Sequence, residues 1–189
     1  MTHHQNDPRL GRIRPLALLG VALLMLSGCA SMSEKECLSA NWFEQGLEDG
    51  REGAERERLK DHAKACSKLG IVPDRARWQE GWSEGIRVYC RPENGWRLGL
   101  AGEYYRGSCG GQRDGDLFER NYTQAKHIHE LGQQIDRNYR EMQRLERALA
   151  EAKTDEDRKH LRGLLRELDL EQQRLRTRQQ MELLSAPRP

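Results

Sequence analysis

The sequence predicts an all-α protein: a small glycine-rich, disulfide-braced helical domain at residues 37–111, followed by a long antiparallel coiled-coil helical hairpin at residues 115–184. Three observations predict it. Short stretches with helical spacing and recognisable caps fill the first half, four cysteines fall within that half, and the second half carries apolar residues alternately three and four apart. The chain is 33% charged and 36% hydrophobic with two Phe, which is thin for one large core and suits a small domain joined to solvated helices.

In chain order, Arg9, Arg12 and Arg14 precede the apolar stretch Leu16 to Leu26. Its eleven residues fit the h-region of a signal peptide, because a membrane-crossing helix wants about 20. The stretch closes on Leu26-Ser27-Gly28-Cys29, which resembles the bacterial lipobox: small residues before a cysteine let a dedicated peptidase cut and let the thiol carry a diacylglycerol. The resemblance implies a signal peptide at 1–28, lipidation of Cys29 and a tether at 29–36. Ala30 stands where an Asp would, in lipoproteins of this kind, favour retention in the inner membrane. The expected location is therefore the outer membrane, facing the periplasm, with palmitate or similar chains holding the protein at about 0.8 kcal/mol per buried methylene. The plainer reading is an ordinary secretory signal with a chance cysteine, or an uncleaved buried helix. Cleavage before Cys29 leaves 161 residues and moves the formal charge from +2 to 0. No net positive field then remains to recruit nucleic acid.

Cys37, Cys66, Cys90 and Cys109 remain after Cys29, and an even number in an exported chain points to two disulfides. Spacing permits three connectivities; Cys37–Cys66 with Cys90–Cys109 is favoured because each closes a local loop, and nested or crossed pairings stay open. Each bridge adds on the order of 3 kcal/mol. A metal site or redox pair would call for Cys-x-x-Cys or a His at ligand spacing, and neither occurs. No metal and no cofactor are expected.

Asn41-Trp42-Phe43-Glu44 reads as an N-cap with Glu at the third helical position, opening a helix that runs toward Gly53. Ala54 to Leu69 carries Leu59, Ala63, Cys66 and Leu69 at helical spacing, with Gly70 placed as a left-handed terminus. A third helix opens after Pro73-Asp74 and ends near Cys90, and Arg91-Pro92-Glu93-Asn94-Gly95 reads as a turn. A weak repeat runs through these segments: Trp42 with Gly46 and Gly50, Trp78 with Gly81 and Gly85, Trp96 with Gly99 and Gly102. Interior helical glycine costs about 1 kcal/mol relative to Ala, so the set needs a compensating reason. One reason is short helices crossing at glycine with Trp42, Trp78, Trp82 and Trp96 filling the core. The other is a glycine- and tryptophan-lined cleft for a sugar, a peptide or a lipid tail.

The order Cys37, Asn41-Trp42, Gly46-x-x-Asp49-Gly50, His62-x-x-x-Cys66, Gly70-x-x-Pro73-Asp74, Gly81-x-x-x-Gly85, Tyr89-Cys90, Pro92-x-Asn94-Gly95, Gly99-x-x-Gly102-x-x-Tyr105 and Cys109 resembles a family of small bacterial lipoproteins known as domain of unknown function 2799. The resemblance covers roughly Cys29 to Leu131 and implies no activity, substrate or catalytic residue. Where the family pattern places a glycine near position 125, this chain has Ala125-Lys126.

In the tail, Ile128, Leu131, Ile135, Asn138, Met142, Leu145 and Leu149 alternate at three and four residues, a coiled-coil seam with Asn138 as its register-setting polar position beside Tyr139. After a break at Ala150 to Lys153, Thr154-Asp155-Glu156-Asp157 caps a second helix whose seam is Leu161, Leu164 or Leu165, Leu168 and Leu175. Two helices of similar length with a short connection fold back as a hairpin, with one long helix as the alternative. Residues 185–189 read as a disordered tail.

The ionisable residues argue for no catalytic site. His127 and His129 lie two apart on a helix and point away from each other. His62 precedes Cys66 by one turn, but an oxidised cysteine is no nucleophile. Glu48-Asp49 and Glu103 would serve a glycosidase only at a defined separation. The expected role is a non-enzymatic structural or interaction module held at the membrane through Cys29, with a protein partner or self-association through the tail and no nucleic acid. A binding module for a cell-wall fragment or lipid is the alternative, and an envelope hydrolase the third.

Overall fold

The computed structural model describes residues 30–186; the signal segment 1–28, Cys29 and residues 187–189 lie outside the described residues. Among the described residues the fold is all-helical, with no strand. Its elements are α1 (Glu34–Leu38), α2 (Trp42–Arg51), α3 (Arg58–Cys66) with a 3-10 turn (Ser67–Leu69), α4 (Arg75–Tyr89), α5 (Pro92–Ala101), α6 (Gly115–Glu151) and α7 (Asp155–Leu184). They divide into two compact units, residues 30–39 with 60–72 and residues 40–59 with 73–186, so α3 contributes to both.

The smaller unit ties α1 to the end of α3 by the Cys37–Cys66 disulfide, whose Cα atoms are 5.5 Å apart. Ser33 and Glu36 close a reciprocal capping box on α1, a five-residue helix absent from the sequence reading. So short a helix has almost no periodicity to read. Met32, Cys37, His62 and Cys66 are its buried residues.

In the larger unit the caps are local chemistry. Asn41 Oδ1 accepts from the N–H groups of Phe43 (3.1 Å) and Glu44 (3.4 Å), Asp74 from Arg77 (3.1 Å), and Thr154 Oγ1 from Asp157 (3.1 Å). Gly53, at φ +74°, ends α2, and α3 begins only at Arg58, four residues later than expected. The turn expected at residues 91–95 is instead the start of α5. Arg91 is the N-cap and Pro92 occupies the first helical turn, where its missing N–H has no partner to lose.

The glycines set how the helices meet. Gly46 and Gly50 on α2 face Gly81 and Gly85 on α4 so closely that a Cβ on Gly50 would lie 2.5 Å from the Trp82 carbonyl oxygen, and one on Gly81 would meet the Phe43 carbonyl and lie 2.8 Å from Leu47 N. Four residues apart, the two glycines of each helix share a face. On α5 the pair that packs is Gly95 and Gly99, not Gly99 and Gly102: they seat against the backbone of Phe118 and Tyr122 on α6. Gly102 is the left-handed C-terminal residue of α5, at φ +70°. A Cβ on Gly99 would lie 2.7 Å from the Ala125 methyl, so a small residue at 125 is what the crossing demands. The first turns of α6 supply Phe118, Tyr122 and Ala125 to this contact, so they pack with the cysteine-bearing half. Trp78, Trp82, Ile86, Leu98, Phe118 and Tyr122 form the core together with the Cys90–Cys109 disulfide.

Beyond Ala125, α6 packs against α7, which runs in the opposite direction. Gln124 Nε2 donates to the Glu182 carbonyl (3.4 Å), Gln179 Nε2 to that of Ile128 (3.3 Å) and Asn138 Nδ2 to that of Leu168 (3.1 Å). Ile128, Leu131 and Leu145 are buried between them. So is Gln172, which the sequence reading left out of the seam, and neither atom of its amide has a hydrogen-bond partner among the described residues. An unsatisfied buried amide is costly, so Gln172→Leu is expected to raise the unfolding free energy by about 1–2 kcal/mol in urea denaturation. A destabilised variant would contradict the assignment. Ser185, expected to begin a disordered tail, is held: its Oγ accepts from Gln124 Nε2 (2.9 Å) and donates to the Glu182 carbonyl (2.9 Å).

Candidate functional site

The residues singled out by the sequence as a candidate cleft are brought together, but in the helix interfaces. Gly46, Gly50, Gly81, Gly85, Gly95 and Gly99 are buried against opposing backbone. Trp78 and Trp82 are each 2% exposed, with ring centroids 6.3 Å apart. Trp42 and Trp96 are half-buried, and Trp42 packs on the core.

Both buried indoles are anchored by their N–H. Trp82 Nε1 donates to the Ala54 carbonyl (2.8 Å), and Arg56 lies 4.8 Å over its ring. Trp78 Nε1 donates to Asp49 Oδ2 (2.7 Å), and the same carboxylate receives Gln45 Nε2 (3.4 Å) and faces Arg58 Nε at 3.9 Å. Asp49 is 3% exposed, a buried carboxyl group that accepts from Trp78 and Gln45 and faces the Arg58 guanidinium. The sequence offered a signal for it: an acid at position 49 between the face glycines 46 and 50 sits on the buried side of α2.

The other ionisable candidates do not converge. Glu103 pairs with Arg97 (3.1 Å). His62 Nδ1 meets Ser31 Oγ at 3.0 Å, while Cys66 is oxidised. His129 Nδ1 faces the Leu100 carbonyl (2.9 Å), which can only accept, so that nitrogen carries the hydrogen; Nε2 meets the Gln133 amide at 2.9 Å. His127 instead faces Glu182 on α7, at 3.9 Å. Among the described residues there is no group of three or more His, Cys, Asp and Glu able to hold a metal ion.

One network escaped the sequence reading, because its members are far apart in the chain. The Tyr105 ring lies 4.9 Å from Phe118 and 5.2 Å from Tyr122, between centroids, and its hydroxyl accepts from the Cys109 N–H (2.9 Å) and donates to Glu119 Oε1 (3.1 Å). Burial, reinforced by Glu119 and against the Cys109 amide, pushes the Tyr105 phenol up to about 12. The unfolded chain releases that proton near pH 10 and the folded one holds it, so the contribution of Tyr105 to stability is fully present below pH 10 and is lost as pH rises from 10 to about 12. Denaturant unfolding across that range should show the slope reduced in Tyr105→Phe; equal slopes would contradict it. Tyr89, also raised by burial, adds to the slope with the same sign.

On the surface, a shallow groove of about 680 Å³ runs along α7 beside Leu170, Arg174, Thr177, Arg178 and Met181. A second, of about 570 Å³, is lined by Asp116, Arg120, His127 and Glu182. Among the described residues no helix is long and apolar enough to cross a membrane.

Residues 41–127 match the model of a family described as a protein of unknown function, DUF2799. The match opens on the Asn41 cap and ends within α6, just past the contact with α5. No curated protein and no solved structure matches the chain.

Proposed function

We propose, from the premise that residues 41–127 belong to the DUF2799 family, that this chain is a lipid-anchored, non-enzymatic interaction module on the periplasmic side of the outer membrane. The observation that carries the reading is the pairing of α6 with α7, which continues for nearly sixty residues past the family segment and leaves apolar side chains of α7 uncovered. We read this pair as an antiparallel coiled-coil hairpin, with Asn138 bonded to the Leu168 carbonyl as its register pin. Asp49 is engaged by Trp78, and Tyr105 by Cys109 and Glu119, so these two buried polar groups serve the packing of the family segment. Four cysteines paired as two disulfides suit an oxidising compartment, and the lipobox-like Leu26-Ser27-Gly28-Cys29 supplies the anchor.

Two measurements test it. Radiolabelled palmitate should enter the wild-type chain and not Cys29→Ser; an unlabelled wild type overturns the anchor. Cross-linking in intact envelopes, read by mass spectrometry, should join α6 or α7 to another polypeptide. If every cross-link is internal to one chain, the interaction reading fails.

A further inference from the structure

The side of α7 turned away from α6 carries a second stripe. Leu170, Arg174, Thr177, Met181 and Leu184 follow one another at intervals of four, three, four and three residues, the spacing of a helix seam. They stand two residues after Leu168, Gln172, Leu175, Gln179 and Glu182 on the α6 side, which is about 200° around the helix. Leu170 is 54% exposed, Met181 59% and Leu184 82%. Within one chain the stripe is uncovered. In the other direction it meets Glu167 and Gly163, so the apolar character is confined to the C-terminal half of α7.

We infer that this stripe is a self-recognition surface, on which the α7 helices of two copies pair antiparallel. The inference rests on the reading of the tail as an interaction module and names the partner as a second copy. Charge decides the partner and its direction. In a parallel pair, Arg174 would face its own copy at the centre of the seam, and two buried guanidinium groups would repel. Turned antiparallel, Leu170 meets the partner's Met181, and Arg174 meets the partner's Thr177, alongside which its stem lies while its head reaches water. The same register brings Glu171, which faces Arg174 of its own chain at 3.6 Å, beside the partner's Arg178 and, by the two-fold axis, Arg178 beside the partner's Glu171. Two opposite-charge pairs then flank a short seam built from one helix alone, with Leu170–Met181 contacts on either side of the Arg174–Thr177 centre, a self-complementary arrangement. So small a contact is weak in solution, and anchoring both copies to one membrane raises their effective concentration.

The test uses the full chain carrying Cys29→Ser, followed by sedimentation equilibrium at low salt. The wild type should show reversible monomer–dimer exchange. Arg178→Glu should weaken the dimer about tenfold or more by placing like charges together twice, and Glu171→Arg combined with Arg178→Glu should restore it. All these positions are exposed, so unchanged helicity by circular dichroism verifies the fold. Direction is read by mixing a Leu170→Cys chain with a Met181→Cys chain. A mixed disulfide dimer is expected, and none from Leu170→Cys alone, whose two copies would be about 16 Å apart along the axis. A strictly monomeric chain at millimolar concentration, a dimer indifferent to Arg178→Glu, or Leu170→Cys homodimers would each overturn the proposal. Palmitate labelling and cross-linking to other polypeptides would survive that failure.

Discussion

Gly81→Ala is expected to lower the unfolding free energy by about 3 kcal/mol or more, the upper end of what overpacking does. The added methyl would meet the Phe43 carbonyl and stand 2.8 Å from Leu47 N, and both are backbone atoms of α2 that cannot rotate away. Relief requires α2 and α4 to separate, which loosens every contact across that crossing. Helix propensity argues the other way, since Ala is favoured over Gly in a helix interior by about 1 kcal/mol. Packing wins because the separation is shared by Gly46, Gly50 and Gly85 and uncovers Trp78, Trp82 and Ile86. Gly163→Ala on α7 provides the control: no atom lies within 4 Å of its added methyl, so only propensity acts and the variant should gain up to about 1 kcal/mol. Urea midpoints for the two variants should move in opposite directions. A Gly81→Ala chain as stable as wild type would disprove the close crossing.

Loss of the Cys90–Cys109 disulfide should cost about 3 kcal/mol from loop entropy alone, for a separation of 19 residues. The cost in this protein is expected to exceed that figure. Cys90 and Cys109 are 2% and 0% exposed within the cluster of Trp82, Ile86, Phe118 and Tyr122, so Cys90→Ala with Cys109→Ala also leaves unfilled space. Cys109 further holds the Tyr105 hydroxyl through its N–H, and that ring packs on Phe118 and Tyr122. The double variant should therefore lose near-ultraviolet tyrosine and tryptophan signals at a denaturant concentration where wild type retains them. Identical transitions would show the bridge to be incidental to the core.

The starts of α2, α4 and α7 were legible because a cap is local. Asn41, Asp74 and Thr154 each bond an N–H two or three residues on, and no distant residue takes part. The glycine pairs on α2 and α4 were legible too, as spacing, since four residues on a helix define a face wherever the helix lies. The third pair was misassigned by one turn, to Gly99 and Gly102 instead of Gly95 and Gly99. Asn94-Gly95 after a proline has the composition of a turn, and only the arrival of Phe118 on α6 explains a glycine inside a helix there.

By itself the sequence determined an all-helical chain, the caps and breaks of its long helices, the glycine faces and the even set of cysteines, because caps, periodicity and spacing act over a turn or two. Tertiary structure alone decided which backbone each glycine meets, and that the first turns of α6 pack on α5. It also decided that Asp49 is buried under Trp78, and that Gln172 lies inside the seam while Leu170, Met181 and Leu184 lie outside it. These outcomes depend on which surfaces arrive from far along the chain, and close approach of two backbones is a property of neither helix alone.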